Sequence, residues 1–144
     1  MYKHILVPTD GSDITHKAVQ AAIGMARLSG AKLSTLSVKE PFPYSAISEM
    51  QPVPPQEFFD AQERIAAARV KGVVDEAAAA GLSCSGSTVE ALHPWEAILD
   101  HAQQNGVDLI VMASHGRRGL NAILLGSETQ RVLIHTKLPV LVVR

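Results

Sequence analysis

Apolar residues in this chain fall into short strand-like runs separated by stretches with helical spacing. His4-Ile5-Leu6-Val7-Pro8 carries an apolar run without alternation, which predicts a strand covered on both faces. Thr9-Asp10-Gly11-Ser12 reads as a turn, and Ser12 is suited to cap a helix over Asp13 to Ser29. In that helix Ala18, Ala22, Met25 and Ala26 share one face, and Gly30 is the expected stop. Lys32 to Lys39 is the second strand. Gln56 to Ala80 predicts a long helix, with Pro55 at its first turn and an apolar stripe of Phe59, Ile65, Val70 and Val73/Val74. Gly81 ends it. Ser83 to Val89 is a short polar strand, expected at a sheet edge. Pro94 to Gln104 is a helix with Ile98 and Leu99 inward and Gly106 beyond it. Val107 to Ala113, Ser127 to Thr136 and Pro139 to Val143 complete the series as strand, helix and strand.

Strands and helices alternate strictly through five strands and four helices. That pattern predicts an α/β fold with an open parallel sheet, helices on both faces and right-handed crossovers, in a single domain spanning 1–144. Prolines 41, 43, 52, 54 and 55 exclude regular structure from Pro41 to Pro55, which is expected to be a long surface loop. Either a lid over a site or a simple connection to the next helix fits it.

Bulk properties narrow the partners. A net charge of −1, with Lys and Arg scattered along the chain, argues against a general nucleic-acid binder. No apolar run approaches the ~20 residues of a membrane span. The one cysteine, Cys84, fits a reducing compartment, and a cytoplasmic protein is expected.

The chemistry concentrates between Leu109 and Ser127. A buried strand runs into Ser114-His115-Gly116-Arg117-Arg118-Gly119, and a new helix opens at Gly126-Ser127. Unpaired N–H groups at a helix start suit phosphate, glycine allows close backbone approach, and arginine adds charged contacts. Sheets of this kind bind ligands beyond the carboxyl ends of their strands, where strand order reverses. If the first and fourth strands are neighbours there, Asp10 faces the same crevice and could accept from a ribose or base. Taken alone, Asp10 and Ser12 are better read as caps of the first helix. There is no GxxxxGK[ST], GxGxxG, HExxH, CxxC or GxSxG pattern, which favours binding over fast catalysis.

The segments ILVPTDGS, LIVMASHGR, GLNAILLGSETQRVL and PVLVV together resemble the universal stress protein family over essentially the whole chain. ATP-binding members carry Gly-x2-Gly-x9-Gly-Ser/Thr. Gly116 and Gly126-Ser127 match its second half, and Ala113 stands where the first glycine is expected. The resemblance implies strand order 3-2-1-4-5 and a homodimer built partly through the last strand, Val140 to Val143. It implies an adenine nucleotide, ATP with Mg²⁺ held through its phosphates, in the crevice. Pro8, Thr9 and Asp10 would then lie near adenine and ribose, Val38 against adenine, and Met112 and Ala113 by the ribose. Gly116, Arg117, Gly126, Ser127, Glu128 and Thr129 would surround the phosphates, Glu128 and Thr129 mainly through backbone N–H groups, and His115 in the same loop fits either a phosphate contact or a structural hydrogen bond. The expected role is a nucleotide-binding regulator of the stress response with at most slow ATP hydrolysis. The alternatives are an interaction dimer that binds no nucleotide and a slow ATPase.

Overall fold

The computed structural model describes residues 1–42, 56–116 and 125–144. Their elements run β1 (His4–Pro8), α1 (Asp13–Ser29), β2 (Lys32–Lys39), α2 (Gln56–Ala79), β3 (Cys84–Glu90), α3 (Pro94–Gln104), β4 (Leu109–Ala113), α4 (Ser127–His135) and β5 (Val140–Val143). The five strands form one parallel sheet in the order β3-β2-β1-β4-β5. The alternation expected from the sequence is therefore observed, with element ends shifted by one or two residues.

Both faces of the sheet are covered, which explains the apolar runs without alternation. Ile5, Val7, Leu33 and Val111 pack beneath α1 and α2 with Ala18, Val19, Ala22, Val73 and Ala77. Leu6, Leu36, Ile110 and Met112 form the opposite layer with Ile98, Ala102 and Val132. The alanines of α1 bring that helix close to the strands. The helix is closed at both ends: Ser12 Oγ accepts from Thr15 N at 3.4 Å, and Gly30 takes a left-handed φ of 71° with its N–H on Ala26 O.

Two elements differ from the sequence pattern. In α2 the buried residues are Ala66, Val70, Val73 and Ala77, while Ile65 is 44% exposed. The stripe follows the 3.6-residue period through small residues, and Ile65 lies about 100° off it. In β2 the polar Ser34, Thr35 and Ser37 are buried along with Leu33 and Leu36. Thr35 Oγ1 donates to Val7 O at 2.7 Å, so its burial leaves no orphan hydroxyl. The fourth strand starts at Leu109, and just before it the Asp108 carboxylate accepts the N–H groups of Lys3 and His4, each 2.9 Å away.

Residues 43–55, most of the proline-rich stretch, lie outside the described part. Phe42 before it meets Phe58 edge-to-face, with centroids 4.9 Å apart. Among the described residues no helix is long and apolar enough to cross a membrane.

Candidate functional site

Strand order reverses between β1 and β4, so the turns that follow them diverge around a crevice. Pro8 ends β1, and Thr9 N donates to Leu36 O at 2.9 Å, which fixes the turn onto β2. Asp10 Oδ1 gathers three donors: Ser12 N at 2.9 Å, Ser12 Oγ at 2.6 Å and Thr15 Oγ1 at 2.7 Å. Its other oxygen points across the crevice. A Cβ added at Gly116 would stand 3.0 Å from Asp10 Oδ2. The turns after the first and fourth strands therefore meet, as the sequence required for a shared site. The capping reading of Asp10 and Ser12 holds through Oδ1, while Oδ2 lies toward Gly116.

The far side of the crevice is the start of α4. Gly126 is its N-cap and offers no capping side chain. The first N–H groups of a helix have no partner within it, and such a helix start suits an anion. A Cβ on Gly126 would lie 3.3 Å from both His115 Cα and Ser114 O, while Gly126 N donates to Ser114 O at 2.6 Å. Glycine is required here for close backbone approach, with φ at an ordinary −68°. Ser127 is exposed at the mouth. Thr129 is buried, and its Oγ1 donates to Ala113 O at 2.9 Å, tying α4 to the end of β4.

The remaining predicted residues divide by face. Val38 and Met112 lie on the α3/α4 side of the sheet, with Leu6 and Leu36 between them. Ala113 lies on the other side, and its methyl is part of the core beneath α1. His115 is half-buried, with Nδ1 3.0 Å from Ser114 Oγ. Arg117 falls outside the described residues. The Glu128 carboxylate accepts the Trp95 N–H at 2.9 Å, and so closes the start of α3. That leaves Glu128 its backbone N–H to offer a ligand.

Three supporting residues were missed in the sequence. Thr15 donates to Asp10. Ser114, 1% exposed, donates its N–H to Val143 O. Trp95 stacks on His135 with centroids 4.2 Å apart while its backbone reaches Glu128. Only Thr15 carried a signal, standing three residues after a capping serine. Among the described residues no group of three His, Cys, Asp or Glu side chains could hold a metal ion.

The universal stress protein family model matches residues 1–144. The chain belongs to the universal stress protein family. It is 32% identical over 145 residues to universal stress protein MJ0531 of Methanocaldococcus jannaschii, covering all of this chain and 83% of that one. It is 33% identical over 150 residues to YxiE of Bacillus subtilis, with both chains fully covered. Among solved structures, the hypothetical protein MJ0577 superposes with a TM-score of 0.84 at 31% identity, over 99% of this chain and 96% of that one. A universal stress protein solved in complex with cAMP superposes with a TM-score of 0.73 at 29% identity, over 99% and 97%. The architecture is that of the family, an adenine nucleotide α-hydrolase-like sheet.

Proposed function

We propose that this universal stress protein binds an adenine nucleotide, ATP in the first instance, across the carboxyl ends of β1 and β4. The observation that carries this reading is the meeting of Asp10 and Gly116 opposite the start of α4, whose N-cap is a glycine. In it the phosphates lie on the N–H groups of Ser127, Glu128 and Thr129, beside Gly116 and Arg117. The sugar lies by Asp10 and the ends of β1 and β4, and the base lies toward Val38 and Met112. The related structure holding cAMP supports the choice of an adenine nucleotide. Mg²⁺ enters with the phosphates, since the described side chains offer it no cage.

The same geometry favours binding over turnover. Asp10 Oδ1 already serves three donors and His115 Nδ1 pairs with Ser114, so in this reading both side chains organise the turns around the ligand. The protein acts in this reading as a regulatory dimer of the stress response, paired through β5, whose Leu141 is 38% exposed on the sheet edge. A second reading, an interaction dimer without nucleotide, draws on one observation: Ala113 replaces the first motif glycine and its methyl serves the core.

The experiment is the thermal midpoint of the purified protein with millimolar Mg-ATP, ADP, cAMP and GTP. A ligand at 100 times its Kd stabilises by about 2.7 kcal/mol, which is several degrees for a domain this size. A shift with adenine nucleotides alone supports the first reading. An unmoved midpoint in protein free of bound nucleotide supports the second.

A further inference from the structure

The sheet has a second edge, at β3, and its surroundings are built to meet themselves. Cys84–Glu90 reads CSGSTVE, with neither the lysine nor the proline that commonly protects an exposed edge. Ser85, Gly86 and Glu90 are exposed. Beside this strand runs an open groove of about 410 Å³, between β3 and the outer side of α2. Val70, Val74, Cys84 and Gly86 are among its lining residues. Its rim on α2 runs Glu63, Ala67, Lys71: an acid, a small residue and a base at successive turns.

We propose that a second copy of this chain docks here, β3 against β3 in antiparallel register centred on Gly86, with α2 beside its symmetry mate. Three features support it. The first is charge. Thr88 Oγ1 donates to the Glu63 carboxylate at 3.2 Å, which sets Glu63 at the level of Thr88. Lys71 lies eight residues further along a helix that runs antiparallel to β3, a rise of about 12 Å. Four strand residues span about 13 Å, so Lys71 stands near the level of Cys84. A two-fold axis through Gly86 exchanges those two levels. Each Glu63 then faces the other copy's Lys71, and Ala67 faces Ala67.

The second feature is spacing. The α2 helix lies across both β2 and β3. With strands about 4.8 Å apart, the two α2 axes come to stand roughly 10 Å apart across the new pair. Helices pack at 8–10 Å, and a small residue at the crossing suits that distance. The third is that the contact is isologous: the same patch serves both partners, so one pair of copies satisfies the β3 edge on each. Lys71 already pairs with Asp75 at the exposed surface, and Glu63 with the half-buried Lys39; surface pairs of this kind contribute little and cost little to rearrange.

The test is sedimentation velocity over a concentration series on the full chain, with charge variants mixed. Glu63→Lys alone sets Lys against Lys, and Lys71→Glu alone sets Glu against Glu. Each is expected to weaken the β3 association at least tenfold. An equimolar mixture of the two should restore it, because each contact is then between opposite charges. As a second line, Thr88→Cys places a thiol opposite the native Cys84 of the other copy. Oxidation with copper phenanthroline should then give a covalent dimer that the unsubstituted chain does not form. Association unchanged in both charge variants, or no rescue on mixing together with no Thr88→Cys cross-link, would overturn the proposal. Pairing through β5 survives either result, so the two edges are separable.

Discussion

Asp10 and Gly116 lie in the turns that follow two different strands, 106 residues apart in the chain, yet a single methyl group on Gly116 would sit 3.0 Å from Asp10 Oδ2. One carboxylate thus serves two structures. Oδ1 fastens the start of α1, and Oδ2 looks onto the loop that follows β4.

This division separates two substitutions. Asp10→Ala removes three hydrogen bonds to a charged acceptor and is expected to cost about 2–3 kcal/mol. Asp10→Asn keeps an oxygen for those donors and should cost under about 1 kcal/mol. If Oδ2 faces the nucleotide, Asp10→Asn weakens nucleotide affinity while the thermal midpoint stays close to that of the parent. Equal affinity in a folded Asp10→Asn protein would confine Asp10 to capping.

Gly126→Val is expected to fold with the sheet intact and to lose nucleotide binding. The added Cβ starts 3.3 Å from His115 Cα and Ser114 O, and its methyl groups must occupy the space in front of α4. Calorimetric titration with Mg-ATP checks this, and undiminished affinity would misplace the phosphates.

Ala113→Gly exposes the second use of that position. The methyl lies in the core beneath α1, so its removal should cost about 1–2 kcal/mol through lost burial and added chain freedom. Urea unfolding measures that cost, and titration measures affinity separately. A loss of stability with unchanged or tighter nucleotide binding is expected.

Stability should fall in two stages on acidification. Burial, and then the neighbouring charge of His4, hold His101 below its ordinary value of 6.5. The unfolded chain therefore takes up a proton first, and stability declines as pH drops below about 6.5 toward the folded value. Asp108 behaves oppositely in sign of charge. Its partial burial raises its pKa, but the N–H groups of His4 and Lys3 outweigh this and leave it below 3.8. Its contribution is present above that value and is lost as pH falls through the lowered one. His101→Gln should flatten the first stage alone, and Asp108→Asn the second, in urea midpoints recorded from pH 8 to 3.

Cys84 should be a poor nucleophile. Burial pushes its thiol up to about 11. At pH 8 the thiolate fraction is then about 10²-fold smaller than for a free cysteine, and iodoacetamide should react correspondingly slowly. Urea should restore the ordinary rate.

Much of this fold is legible in the chain because both kinds of signal agree. The runs at Ile5–Val7 and Leu109–Ala113 lack alternation since helices cover both faces, and Ser12 and Gly30 punctuate α1 as their chemistry demands. The errors arise where burial is decided by position and not by side-chain size. Ile65 is larger than Ala66, but only Ala66 points at the sheet. Ser34, Thr35 and Ser37 are polar by type, yet all three are buried, because β2 lies inside the sheet between β1 and β3. The candidate site was partly readable: the glycines, Asp10 and Ser127 stand out as types. The pairing of Glu128 with Trp95, across 33 residues, has no counterpart in any local pattern. Nor does the split use of the Asp10 carboxylate, which only the reversal of strand order creates.

The bond from Gly126 N to Ser114 O has a consequence for how this site can diversify. It holds Ser114 and Gly126, the two ends of an excursion in the sequence, beside each other. The closure entropy of such an excursion grows only slowly with its length. Exchanging residues between Gly116 and Gly126 is therefore expected to change ligand affinity more than stability. New ligand preferences can accumulate there while β4, β5 and α4 stay as they are.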